Sequence, residues 1–142
     1  MIRGGPNDHV TGGGAMLQIL LFHADAPGGD RIRETLSAYG CAAEVTHVRN
    51  VTGFLAALEQ WRFDAILLDY ALSSSESSAA LAAAKRWWSV IPIIALCAPD
   101  GEHDGRRALR EGAADYVPED QLPRLTSTIR RAVANMEFHA QA

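Results

Sequence analysis

The feature that most restricts the fold is a set of short apolar runs in which polar and apolar residues do not alternate. Ala65-Ile66-Leu67-Leu68 carries no polar residue and stops abruptly at Asp69. Such a run reads as a strand buried on both faces, the signature of a parallel sheet sandwiched between helices. Met16 to Phe22, interrupted only by Gln18, and Val90 to Ala98 are buried runs of similar kind, with Pro92 near the start of the second, where a missing N–H is tolerated. Ala42 to Val48, which alternates loosely, and the short Ala114 to Val117 read as two further strands, making five.

Helical patterns fill the intervals. Asp30 is the expected N-cap of a helix with Ile32, Leu36 and Tyr39 on one stripe, ended by Gly40. Val51, Phe54, Leu55 and Leu58 are spaced by three and four over Val51 to Trp61. Ser73 to Ser78 reads as a polar loop with several capping residues, followed by an Ala-rich helix from Ala79 to Trp88. Asp104 to Glu111 is a short helix with Ala108 and Leu109 on its apolar side, closed by Gly112. Asp120 to about Phe138 is the last helix, with Leu122, Leu125, Ile129, Val133 and Met136 at helical spacing. Strands alternating with helices require right-handed crossovers and helices on both faces. Five such units are too few for an eight-fold barrel. The expected fold is an α/β doubly wound five-stranded parallel sheet of order 2-1-3-4-5, flavodoxin-like. Residues 1–15, rich in glycine and without apolar period, read as a disordered leader or expression remnant ahead of one domain over 16–142.

Composition excludes several classes. A formal net charge of -4 gives no basis for nucleic-acid binding. No apolar stretch approaches a membrane span, and no apolar segment follows the N-terminal charge as in a signal peptide. Cys41 and Cys97 lack metal-ligand spacing, so a reduced, cytoplasmic protein is expected. In open α/β sheets chemistry gathers at the carboxyl ends of strands, which makes Asp69 the first candidate functional residue.

Four segments resemble the receiver domain of two-component response regulators. Ile19 to Asp25 is similar to the family's first strand and acidic turn, and Phe63 to Leu72 to its phosphoacceptor strand, with Asp69 at the acceptor position. Ile91-Pro92-Ile93-Ile94-Ala95-Leu96-Cys97-Ala98 is similar to its I-P-I-I-x-L-[ST]-A strand, and Glu111 to Asp120 to its E-A-G-A-D-D-Y-[LV]-x-K segment. The resemblance implies the (βα)5 receiver fold, a phosphorelay context, and Tyr116 as the switch aromatic. It also implies a histidine kinase, phosphotransfer or other signalling protein as partner.

The pocket departs from the family pattern. The two adjacent acids that hold Mg²⁺ in the family fall at His23 and Ala24; an imidazole is a poor Mg²⁺ ligand and Ala is none. Asp25 is acidic but one residue late, which on extended chain turns the side chain away. The phosphate-binding Lys falls at Glu119, a reversal of sign, and the strand-4 hydroxyl at Cys97. The expectation is an atypical receiver that works through protein–protein contacts with impaired Mg²⁺-dependent phosphorylation, needing no cofactor and not an enzyme. His23 is expected to pair with Glu119 or Asp69, which would raise its pKa. The alternative is a working phosphoacceptor, with Asp69 as nucleophile. The resemblance then implies the Ala71 backbone carbonyl as an Mg²⁺ ligand, with Asp25 as substitute acid.

Other residues read more plainly. Cys97 is expected to be a small core residue, because nearby acids do not activate a thiol. One of Trp87 and Trp88 should pack on the sheet, the other marking a contact surface. The 104–138 face carries Arg124, Arg130 and Arg131 beside an apolar stripe; in the family this face serves homodimerisation and signalling. Asp120 to Leu125 resembles receivers fused to a downstream output or sensor domain. A small-molecule-binding flavodoxin-like module finds little support, since Gly28-Gly29 lacks the rest of a phosphate-cradling fingerprint.

Overall fold

The computed structural model describes residues 16–70, 74–87 and 90–141, with the side chains of 74, 75 and 137–141 outside the description. Five parallel strands form one sheet in the order β2-β1-β3-β4-β5, as the alternation of elements requires. They are β1 (Leu17–Phe22), β2 (Ala43–Val48), β3 (Ala65–Asp69), β4 (Ile93–Cys97) and β5 (Asp115–Pro118). The helices between and after them are α1 (Ala26–Ala38), α2 (Val51–Gln60), α3 (Ser74–Trp87), α4 (Glu102–Glu111) and α5 (Leu125–Gln141), the last preceded by a 3₁₀ turn over Glu119–Arg124.

Side chains alternate across the sheet and build two cores. Leu20, Phe22, Ile66, Leu68 and Tyr70 face one way, beneath α2, α3 and α4. Ile19, Leu21, Leu67, Ile94, Leu96 and Val117 face the other, beneath α1 and α5. The central strand β3 is buried from end to end, as its unbroken apolar run requires. Each such Leu or Ile contributes roughly 1.5–3 kcal/mol through burial. Register is fixed by this two-sided burial: Leu67 lies opposite Leu21 on β1 and Ile94 on β4.

The helices depart from the sequence expectations in four places, three at their starts and one in the face that is buried. The cap of α1 is Asp25, whose Oδ1 accepts from the Gly28 N–H at 2.6 Å, so Asp30 lies inside the helix. Pro27 falls in the first turn, where its missing N–H costs nothing. α3 begins at Ser74, so the serine run is largely helical rather than loop. Buried Ser77 gives its hydroxyl to the Asp69 carbonyl (2.9 Å) and Ser78 gives its own to Glu111 (2.8 Å), so tertiary partners override weak helix propensity. In α4 the face against the sheet is made by Gly105 and Ala108, and Leu109, one step further round, is 41% exposed. Gly105 is required because the Tyr116 ring packs where its side chain would be. The last helix starts at Leu125, Pro123 being accommodated in the 3₁₀ turn. Gly40 (φ 75°) and Gly112 (φ 119°) adopt left-handed conformations after α1 and α4. Trp87 is 49% exposed; Trp88, Ala71 and the leader lie outside the described residues.

Candidate functional site

Strand alternation assembles the site. Leu21, Leu67 and Val117 all point into the α1/α5 core. Two residues further on, at the carboxyl ends of their strands, come His23, Asp69 and Glu119. The sheet thus delivers an imidazole and two carboxylates from β1, β3 and β5 to one point. His23 Nε2 lies 3.4 Å from Glu119 Oε2 and 3.7 Å from Asp69 Oδ2. His23 and Asp69 are buried; Glu119 is half-buried and forms the solvent side.

The His23 ring is fixed from several directions. Its backbone N–H donates to the Val48 carbonyl (3.1 Å), and its carbonyl bonds His47 Nε2 (2.8 Å). The ring lies against Gly28 in the first turn of α1, where any larger side chain would collide with it. Nδ1 faces the backbone N–H of Asp25 at 3.3 Å and Asp25 Oδ1 at 3.7 Å. Nε2 points at the two carboxylates, and this buried nitrogen has no well-formed hydrogen bond among the described residues. Contact with the Glu119 carboxylate raises the His23 pKa above its ordinary 6.5; burial of the ring opposes this, and the charges of Asp69 and Asp25 add to the rise.

The other positions singled out by sequence have different roles. Ala24 is exposed and contributes a carbonyl, which accepts from Arg49 Nε at 2.9 Å. The Asp25 carboxylate is turned out to cap α1 and is 61% exposed. Cys97 is fully buried at the end of β4. Burial, with Asp104, Glu119 and Asp69 adding, pushes its thiol up to about 11, so it stays protonated at neutral pH. Tyr116 is half-buried and packs against the core beneath α2, α3 and α4.

Two features escaped the sequence reading. Gly28 and Gly29 are helical, not turn residues; each makes room for a histidine ring, His23 and His47 respectively. A glycine pair inside a helical register, five residues after a histidine, is the signal that was there to find. The second feature is a polar cluster beside the pocket. Tyr70, fully buried, donates its hydroxyl to Glu111 (2.8 Å). Arg107 donates to Ser78 (3.0 Å) and lies 4.8 Å from the Tyr70 ring centroid. Its members come from β3's end, α3 and α4, and nothing local in sequence links them.

The Mg²⁺ that the resemblance implies does not fit these residues. Mg²⁺ requires near-octahedral oxygen donors at about 2.0–2.1 Å. Here one of the expected acids is an imidazole, the next is Ala24, and Asp25 is committed to its helix cap.

No protein-family model matches the chain, and no curated protein matches it by sequence. Solved structures do. The receiver domain of a Pseudomonas aeruginosa sensor histidine kinase, with a magnesium ion coordinated in its active-site cleft, is 25% identical. That match covers 84% of this chain and 99% of that one, at a TM-score of 0.71. A CheY-like response regulator receiver domain protein from Methanospirillum hungatei is 21% identical over 88% of this chain and 99% of that one, TM-score 0.73. NtrX from Brucella abortus is 20% identical over 89% of this chain but 28% of that much longer one, TM-score 0.78. The chain therefore has the fold of a response-regulator receiver domain.

Proposed function

We propose that this receiver-fold domain is an atypical signalling module, which acts by contact with another protein rather than by Mg²⁺-dependent phosphorylation of Asp69. One observation carries the reading: Glu119 stands 3.4 Å from His23 where a receiver would place a Lys, with His23 itself at an Mg²⁺-ligand position. An acyl phosphate on Asp69 would meet a carboxylate at that position, in place of the Lys that neutralises the added charge in a receiver. The domain is no enzyme on this reading. Its partner is a histidine kinase, phosphotransfer or other signalling protein, or a domain fused to it. The α4–β5–α5 side, where Leu109 is exposed, is the surface proposed for that contact and for homodimerisation. No helix among the described residues is long and apolar enough to cross a membrane.

The position of Asp69, buried at the carboxyl end of the central strand, favours the alternative of a working phosphoacceptor. Beryllofluoride, a phosphoryl mimic, separates the two. With millimolar Mg²⁺ it should leave the amide NMR spectrum around Asp69 unchanged. Saturable shifts that vanish in Asp69→Asn would replace the contact reading with the phosphoacceptor one.

A further inference from the structure

The geometry points to a second use of the same pocket: we propose that it binds one borderline divalent transition-metal ion, Zn²⁺ being the type ion. The ligands are Nε2 of His23 and one carboxylate oxygen each from Asp69 and Glu119. These three atoms lie within 4.8 Å of one another. A four-coordinate ion with bonds of about 2.0–2.1 Å sets its ligand atoms roughly 3.3 Å apart. The observed separations from Nε2, 3.4 Å to Glu119 and 3.7 Å to Asp69, are already close to that edge.

An independent observation points to a ligand. Nε2 of His23 is buried, lacks a well-formed hydrogen bond, and is aimed between two carboxylate oxygens. A buried polar atom left so is destabilising unless something completes it. A proton shared with the carboxylates is one completion; a cation in the gap is the other. Two carboxylates cancel the charge of a divalent ion, and the imidazole selects against Mg²⁺ and Ca²⁺, which prefer oxygen alone. Three protein ligands leave the fourth position to water from the half-exposed Glu119 side, an open site.

The surroundings suit this role. A metal on Nε2 requires the proton on Nδ1, and metal-bound histidines pass that proton to a carboxylate. Asp25 Oδ1 waits 3.7 Å from Nδ1. On metal binding the Asp25 N–H contact to Nδ1 would give way to an Nδ1–H bond to that carboxylate. The ligands stand at the carboxyl ends of β1, β3 and β5 of one sheet, and the His23 backbone is held by both Val48 and His47. Both edges from Nε2 are therefore within a few tenths of an ångström of the metal-bound separation, and the two carboxylates close the third by side-chain rotation.

The proposal does not depend on how the domain signals, and its test reads binding alone. Chelator-treated protein titrated calorimetrically with Zn²⁺ should bind one ion per chain, and Mg²⁺ at the same concentrations should give no heat. Co²⁺ should give the visible bands of a tetrahedral nitrogen–oxygen site. Glu119→Gln and His23→Gln should each weaken Zn²⁺ binding by more than 100-fold, with circular dichroism confirming the fold. Asp25→Asn, which touches no metal, should weaken it roughly 10- to 100-fold. Absence of one-to-one binding overturns the proposal and leaves the contact reading standing. Binding undiminished in both Glu119→Gln and His23→Gln overturns it too, because the ion would then sit at other histidines.

Discussion

Asp69 and Tyr70 are consecutive residues at the end of one strand, and they finish in opposite kinds of environment. Tyr70 turns to the α3/α4 side, where its hydroxyl, Glu111, Ser78 and Arg107 form a bonded network. Asp69 turns to the α1/α5 side, where it meets an imidazole whose Nε2 is left without a well-formed bond. Both clusters are small groups of charged and polar side chains at the same edge of the sheet. The difference lies in completion. A satisfied network holds the fold together, whereas an incomplete one retains an unspent capacity to bind.

That contrast can be broken most violently on the Tyr70 side. Tyr70→Ala should destabilise the protein by about 3–5 kcal/mol in urea unfolding, through the cavity left beneath α3 and α4. If Asp69→Ala proved equally destabilising, the distinction between the two clusters would fail. Next in size is Gly28→Ala, which drives a methyl into the His23 ring. It should be destabilising by about 1–3 kcal/mol, and most of that loss should disappear in a His23→Ala background. Additive losses would mean that the ring does not rest on α1. Tyr70→Phe should remove only about 1 kcal/mol, one hydrogen bond, since Ser78 remains bonded to Glu111.

The smallest effects are in pH, and the two clusters have opposite signs. The folded pKa of His23 is raised above 6.5, so its pairing stabilises fully below pH 6.5 and is lost as pH rises through the folded value. Burial raises the Glu111 pKa, but Tyr70, Ser78, Arg107 and Arg110 outweigh it and hold the carboxyl below 4.5. Its contribution is therefore present above pH 4.5 and lost as pH falls through the folded value. In chelator-treated protein, an NMR titration should put His23 above 6.5, falling back in Glu119→Gln. A His23 value at or below 6.5 would dissolve the pairing. Glu111→Gln should flatten only the acid limb of the stability curve.

The sheet order was legible in the sequence because burial on both faces leaves an unbroken apolar run, and few other structures tolerate one. Helix starts were less so. Ser74 to Ser78 reads as loop by propensity, and what makes it helical includes Ser77's bond to the Asp69 carbonyl, a long-range contact. Leu109 was misplaced because period alone does not say that a neighbouring aromatic ring, Tyr116, needs small residues beneath it. The meeting of His23, Asp69 and Glu119 follows from strand ends and two-residue alternation. The Tyr70–Glu111 bond spans 41 residues and rests on no local pattern.

The triangle of His23, Asp69 and Glu119 also constrains the order in which such a pocket can change. Replacing His23 by Asp alone would bring three carboxylates together in a partly dry recess, where they repel one another. Replacing Glu119 by Lys first leaves one cation beside Asp69 and a histidine free to be neutral. Between this pocket and an Asp- and Lys-lined one, the stepwise path through position 119 is therefore the passable one. The other path is blocked by epistasis unless a bound ion accompanies it.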